Sequence, residues 1–126
     1  MSYQLEISEC DGFLHARVSG KNSALNKLRY LKELRSISVQ KKSRRILIEE
    51  HLEGTSIDLF DVFDVVVSQS KFASASYDKI AFVDTCREHN ADRLKFAERL
   101  AGSHGVNVHV FTTAAEAKQW LTSSEK

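Results

Sequence analysis

Two short, uninterrupted apolar stretches constrain the fold more than any other feature of this sequence. Ile46, Leu47 and Ile48 follow one another directly within Arg45–Glu49, and Ile80–Val83 is a second run of the same kind. Strands buried on both faces lack the alternation of half-exposed strands, and they are typical of parallel sheets that are covered by helices. We therefore expect both segments to be central strands of one sheet.

The N-terminal segment has a different pattern. Residues 3–8 alternate between apolar and polar side chains, an Asp-Gly pair at 11–12 provides a tight turn, and Phe13–Ser19 alternates again. This pattern predicts an antiparallel hairpin with one exposed face, on which His15 and Arg17 point outward.

Four segments have the apolar spacing of amphipathic helices, and each follows a residue that can cap a helix. The second helix is expected over Ser56–Lys71, between a loop at 50–55 and a serine-rich connection at 68–76. The caps are, in chain order, Asn22 or Ser23, Thr55 in the capping box Thr55-x-x-Asp58, Asn90, and Thr113 in the capping box Thr113-x-x-Glu116.

The resulting element order is β-β-α-β-α-β-α-β-α, with Val106, Val108 and Val110 in the last strand. An opening hairpin followed by alternating strands and helices predicts a single α/β domain over residues 1–126. Its sheet is expected to be mixed, antiparallel at the N-terminal hairpin and parallel in the centre, with about four flanking helices.

Charge and composition exclude several classes of protein. Lys and Arg total 18 against 17 for Asp and Glu, which does not suggest a dedicated nucleic-acid-binding protein. No apolar run approaches 18 residues, and the first residues lack the basic and apolar regions of a secretory signal. Cys10 and Cys86 are far apart without metal or redox spacing, so reduced thiols and a cytoplasmic location are expected.

The element order and five stretches of sequence resemble the STAS-like domains, which include bacterial anti-sigma-factor antagonists and the cytoplasmic domains of sulfate transporters. The resemblance covers nearly the whole chain and is greatest to small stand-alone proteins grouped with the antagonists. It implies a non-enzymatic cytoplasmic domain that acts in regulation by protein–protein interaction. The stretches are residues 9–14, 45–49, 79–83, 108–111 and 115–121.

In the antagonists, a phosphorylated serine stands in an Asp-Ser-Ser-Gly signature where the third strand meets the second long helix. The matching junction at 53–58 reads Glu-Gly-Thr-Ser-Ile-Asp, so the signature is absent, although Thr55 or Ser56 can occupy the place of the hydroxyl. The resemblance implies that this junction and the start of the next helix contact a protein partner, which can be a second copy of the chain. This predicted interaction surface consists of Glu53, Gly54, Thr55, Ser56, Asp58, Phe60 and Phe63.

The predicted second helix is more apolar than one contact with a sheet requires. Eight of the eleven positions from Ile57 to Val67 carry large apolar side chains, and the acidic residues occupy one narrow side. We expect a second surface to cover the excess, either in a homodimer, by another protein, or as the wall of an apolar site. The alternative function is therefore a carrier or sensor of a small apolar or lipid ligand, in a pocket beside Phe60 and Phe63.

Charges are distributed unevenly along the chain. Nine Lys and Arg lie between Lys21 and Arg45 with a single acidic residue, whereas residues 46–64 contain six acidic residues and neither Lys nor Arg. A basic helix of this kind can contact an anionic membrane surface. We favour the other interpretation, a solvated helix face whose charges are balanced by the acidic segment.

No pattern of catalytic or metal-binding residues is present. The five histidines lack the spacing of a metal site, and Cys86 lacks the glycines and arginine of a phosphate-binding loop. His51 follows a central strand, where open α/β sheets place ligands. We expect no catalytic residue, metal or cofactor, and we expect Cys86→Ser and His51→Ala to leave the fold intact.

Overall fold

A five-stranded sheet in the order β1-β2-β3-β4-β5 organises the chain. The structure, a computed structural model, describes residues 3–86, 89 and 91–123. The strands are β1 (Tyr3–Cys10), β2 (Phe13–Lys21), β3 (Arg45–Glu53), β4 (Lys79–Asp84) and β5 (Val108–Phe111). The helices are α1 (Ala24–Gln40), α2 (Leu59–Ser76), α3 (Ala91–Ser103) and α4 (Ala114–Thr122).

The sheet is mixed, as the sequence predicts. β1 pairs with β2 in antiparallel register, whereas the β2–β3, β3–β4 and β4–β5 ladders are parallel. Ile48 of β3 lies between Ala16 of β2 and Phe82 of β4, and all three strands have a neighbour on each side. The prediction that the two uninterrupted apolar segments form interior strands is therefore confirmed.

Helices cover the two faces of the sheet unequally. Ile46 and Ile48 point into a core that includes Tyr30 and Leu34 of α1, and α2 and α3 pack over the same face. Leu47 points to the opposite face, where it packs with Ala117 and Leu121 of α4. Because successive side chains of a strand alternate between faces, an uninterrupted apolar run supplies both cores.

Two predicted helix caps are confirmed. The Ser23 hydroxyl accepts a hydrogen bond from the Asn26 amide at 3.1 Å, and the Thr113 hydroxyl accepts one from the Glu116 amide at 3.2 Å. The third predicted cap, Asn90, lies outside the described residues.

The predicted bounds of the second helix are wrong at both ends. The N-cap is Asp58, whose carboxylate accepts a hydrogen bond from the Asp61 amide at 2.9 Å, so Thr55 does not open a capping box. The helix continues to Ser76 through the serine-rich residues. There Ser70 donates its hydroxyl hydrogen bond to the carbonyl of Val66 one turn earlier, so these serines are satisfied within the helix rather than in a loop.

Two further expectations about the strands are wrong. Residues 50–53 belong to β3 rather than to a loop, because β2 is long enough to pair with β3 as far as Lys21 and Glu53. His15 is buried rather than pointing into solvent, and its ring lies 2.7 Å from Glu49 Oε1 on the neighbouring strand.

Candidate functional site

The predicted interaction surface forms one continuous segment at the edge of the sheet where β3 ends. All of its residues are exposed except Ser56, which is half-buried. Gly54 has a φ of 110°, in the left-handed region that a residue with a Cβ rarely adopts, so a glycine is required at this turn. The chain then leads through Asp58 into α2.

Asn22 holds this loop to the start of α1. Its backbone amide donates a hydrogen bond to the Glu53 carbonyl at 2.7 Å, and its side-chain Nδ2 donates one to the Thr55 carbonyl at 2.8 Å. His89 contacts the same loop from the other side, with its Nε2 3.0 Å from the Gly54 carbonyl. The loop is therefore anchored through its backbone, which leaves its side chains on the surface.

The start of α2 presents a row of exposed apolar side chains, which we call the outer stripe: Leu59, Phe60, Phe63 and Val67. The spacing of the last three, at i, i+3 and i+7, aligns them along one side of the helix. Phe60 is the extreme case, with 83% of its surface exposed. The apolar side chains of the outer stripe are therefore exposed to solvent in the single chain.

The inner side of α2 faces a cavity of about 190 Å³ between the sheet and helices α1, α2 and α3. Phe60 and Phe63 do not line it, so this cavity differs in position from the apolar pocket expected beside these two residues. The lining from α2 includes Val62, Val65 and Val66, which are buried or half-buried, unlike the residues of the outer stripe. The sheet contributes Ile48, Ile80, Phe82, Val108 and Val110, and α3 contributes Leu94, Ala97 and Ala101.

A buried carboxylate lies in the wall of this cavity. Glu50, completely buried, accepts hydrogen bonds from Lys27 Nζ at 2.7 and 3.0 Å and a third from the Tyr30 hydroxyl. Burial and the neighbouring charge of Glu50 raise the pKa of Tyr30 well above its ordinary value, so the phenol remains a donor. The carboxylate of Glu50 thus joins Lys27 and Tyr30 in one buried hydrogen-bond network.

A second buried pair, Asp84 and His89, lies beside the first. His89 Nδ1 is 2.5 Å from Asp84 Oδ2, and both side chains are less than 5% exposed. The other carboxylate oxygen of Asp84 accepts a hydrogen bond from the Cys86 amide at 2.9 Å. This pair fixes the loop that follows β4 against the loop that follows β3.

One buried polar atom at this edge has no partner among the described residues. Asn22 is 9% exposed and lines the cavity, and its Oδ1 accepts no hydrogen bond from any of them. The sequence marked Asn22 only as a possible helix cap, and Ser23 has that role. The sequence offered α2 as the wall of an apolar site but did not predict this position or its polar end, because the polar side chains come from α1, β3, β4 and the two loops.

Several of the basic residues between Lys21 and Arg45 form hydrogen bonds or ion pairs within the chain. Arg45, for example, donates a hydrogen bond to the Leu121 carbonyl at the end of α4. The pair Lys27–Glu50 joins this segment to the acidic residues at 46–64. The ion pairs of this segment include Lys27–Glu50, Lys41–Glu9 and Arg44–Asp78.

His51, Cys10 and Cys86 are the remaining residues that the sequence analysis considered for catalysis or metal binding. The His51 ring lies on the surface, 2.9 Å from both Glu49 Oε2 and the Thr85 hydroxyl. Cys10 and Cys86 are both free thiols. In the part of the chain that is described, no group of three or more His, Cys, Asp or Glu could hold a metal ion. Within those same residues, no helix has the length and apolar character needed to span a bilayer.

Comparisons with known proteins identify the fold but not a function. No family model matches this sequence, and the curated proteins contain no significant match. Among solved structures, the chain is similar to an uncharacterized protein from the DUF3478 family with a SpoIIAA-like fold, from Shewanella loihica PV-4. The TM-score is 0.54 at 18% identity, over 95% of this chain and 94% of that chain. The fold is SpoIIAA-like, that is, STAS-like.

This likeness confirms the resemblance inferred from the sequence at the level of the fold. At 18% identity it transfers no residue roles, so the function of this STAS-like domain must be argued from its own surfaces.

Proposed function

We propose that this STAS-like domain is a non-enzymatic regulatory module of the cytoplasm, and that it binds another protein through the outer stripe of α2 and the adjoining loop. The observation that carries the proposal is the exposure of Phe60 among the other apolar residues of the stripe. Burying one such side chain contributes roughly 1.5–3 kcal/mol, so a contiguous row of them is a strong site for association.

The charges around the stripe support a second copy of the same chain as the partner. The N-terminal half of α2 carries Asp61 and Asp64, whereas its C-terminal half carries Lys71 and lies beside Arg35 of α1, whose guanidinium is 4.1 Å from the Phe72 ring centre. If two copies of α2 pack antiparallel about a two-fold axis near Val67, which is 36% exposed, Asp61 and Asp64 of one copy lie near Lys71 of the other. A self-complementary surface of this kind is what a symmetric dimer requires.

The proposal assigns no role to nucleic acid or to a cofactor. The nearly balanced charge of the chain favours neither a nucleic-acid partner nor a general electrostatic surface. Thr55 is exposed and Ser56 half-buried, so both stand at the rim of the proposed interface.

The experiment that tests the proposal compares Phe60→Asp with Val39→Asp by size-exclusion chromatography with light scattering. Val39 is a suitable control because it is 63% exposed and lies at the C-terminal end of α1, at the opposite edge of the sheet. We expect the wild type and Val39→Asp to be dimers, and Phe60→Asp to be a monomer with an unchanged circular dichroism spectrum. A monomeric wild type at every concentration, or a dimeric Phe60→Asp, would contradict the proposal.

A further inference from the structure

We propose that the cavity between α1, α2, α3 and the sheet binds a small neutral molecule that has an apolar body and one hydrogen-bond donor. The inference rests on the inner side of α2 and is independent of the outer stripe.

The size and lining of the cavity define the apolar body. Most lining residues are aliphatic, and the volume of about 190 Å³ slightly exceeds that of an apolar protein cavity of about 150 Å³ that binds benzene. The space therefore suits one substituted aromatic ring or an aliphatic chain of similar volume. Valines from α2 and β5, including Val66 and Val110, would contact it from both sides.

Asn22 is the reason why the proposed ligand carries a hydrogen-bond donor. Because its Nδ2 donates to the Thr55 carbonyl, the orientation of the amide is fixed and Oδ1 is the atom left as an acceptor. This oxygen is buried without a partner among the described residues, in a residue that lines the cavity. A ligand hydroxyl or N–H group would supply the missing hydrogen bond.

The charged side chains at the same end explain why the ligand should be neutral. Lys27 is paired with Glu50, and His89 is paired with Asp84. At the α3 side, Glu98 Oε2 accepts a hydrogen bond from the Val110 amide at 2.7 Å, and the Arg93 guanidinium donates to the Ile57 carbonyl. A charged ligand group would have to disrupt one of these contacts, whereas a neutral donor leaves them all intact.

Titration with 4-methylphenol and with toluene tests this proposal, because the two molecules have nearly the same shape and only the first carries a donor. Binding is followed by amide chemical shifts in ¹H–¹⁵N NMR spectra. We expect both to bind in the cavity, with 4-methylphenol about 2- to 10-fold tighter because of its hydrogen bond. Asn22→Ala should retain toluene binding and lose the preference for 4-methylphenol.

Two further variants separate the cavity from the surface. Ala97→Phe fills the cavity and should abolish binding of both molecules, and Val110→Phe is a second filling variant from the sheet side if the first does not fold. Phe60→Asp changes only the outer stripe and should bind both as the wild type does, whatever its oligomeric state. Absence of binding to the wild type, equal affinities for the two molecules, or an unchanged preference in Asn22→Ala would each overturn the proposal.

Discussion

The buried polar groups on the two faces of the sheet differ in their surroundings. On the α4 face, Lys79 Nζ donates to the Trp120 carbonyl at 2.9 Å and to the Ser123 carbonyl at 3.0 Å, so its charge stabilises the C-terminal end of a helix. The core beside it is closed, with Leu47 and Leu121 fully buried. The buried charge of Lys79 on this face therefore has a structural role.

The face covered by α1, α2 and α3 is built differently. Glu50 of β3 and Asp84 at the end of β4 point into it, and each is paired with a cationic or titratable side chain from outside its own strand. The packing there leaves a cavity lined by Asn22, whose buried Oδ1 has no partner among the described residues. One helix thus closes one face, whereas the other face retains the cavity and the polar groups that we propose to bind a ligand.

The largest effect should follow from removing the buried carboxylate on the helix-rich face. Glu50→Ala leaves Lys27 largely buried without its counter-charge and the Tyr30 hydroxyl without its acceptor. We expect a loss of about 3–5 kcal/mol in the free energy of unfolding, measured by urea denaturation. This is a large part of the stability of an ordinary domain.

Two variants serve as controls for Glu50. Glu53→Ala removes an exposed carboxylate three residues further along β3 and should change stability by no more than about 0.5 kcal/mol. Glu50→Leu combined with Lys27→Met removes both charges and should recover much of the lost stability. A Glu50→Ala protein as stable as Glu53→Ala would show that the buried pair contributes nothing.

A smaller, pH-dependent effect is expected on the α4 face. Burial lowers the pKa of His15 below 6.5, and the positive charges of Arg17 and Lys118 add to this, against the opposing effect of its hydrogen bond with Glu49. The folded state therefore binds fewer protons than the unfolded state, so stability falls as the pH drops below about 6.5. The loss from this one group cannot exceed about 1.4 kcal/mol per pH unit.

Protonation of Glu49 also lowers the stability of the fold, but at lower pH than protonation of His15. Burial alone would raise its pKa, but the hydrogen bonds and charges of His15 and His51 outweigh burial and hold the pKa below 4.5. Its contribution is present above pH 4.5 and is lost as the carboxylate is protonated below that value. Comparing His15→Gln with the wild type by denaturation at pH 7.5 and pH 5.5 isolates His15, because the two proteins share the other four histidines. His15→Gln should lose less stability between these pH values than the wild type does. Equal losses in the two proteins would contradict this assignment.

Much of the fold could be predicted because it depends on local patterns. The apolar runs at 46–48 and 80–83, the alternation in the hairpin and the caps at Ser23 and Thr113 each act within a few residues. The end of α2 was not predictable in this way, because serine hydroxyls are satisfied equally well inside a helix or in a loop.

The site was less predictable because its contacts are long-range. His15 is buried through Glu49, 34 residues away, and Glu50 is paired with Lys27 and Tyr30 of α1. The one available signal was the pair Glu49 and Glu50 after a buried apolar run, because a strand that continues through them places one carboxylate on each face of the sheet. The sequence did predict that α2 carries excess apolar surface, but not which of its residues face the cavity and which form the outer stripe.

The central claim is that the outer stripe of α2, and not the α4 face, is the surface that binds a partner. Amide hydrogen exchange measured by mass spectrometry at low and high protein concentration tests this most directly. Exchange should slow with concentration in peptides covering residues 57–67 and stay constant in peptides covering α4. Exchange that is independent of concentration throughout, or that slows in α4 instead, would contradict this claim.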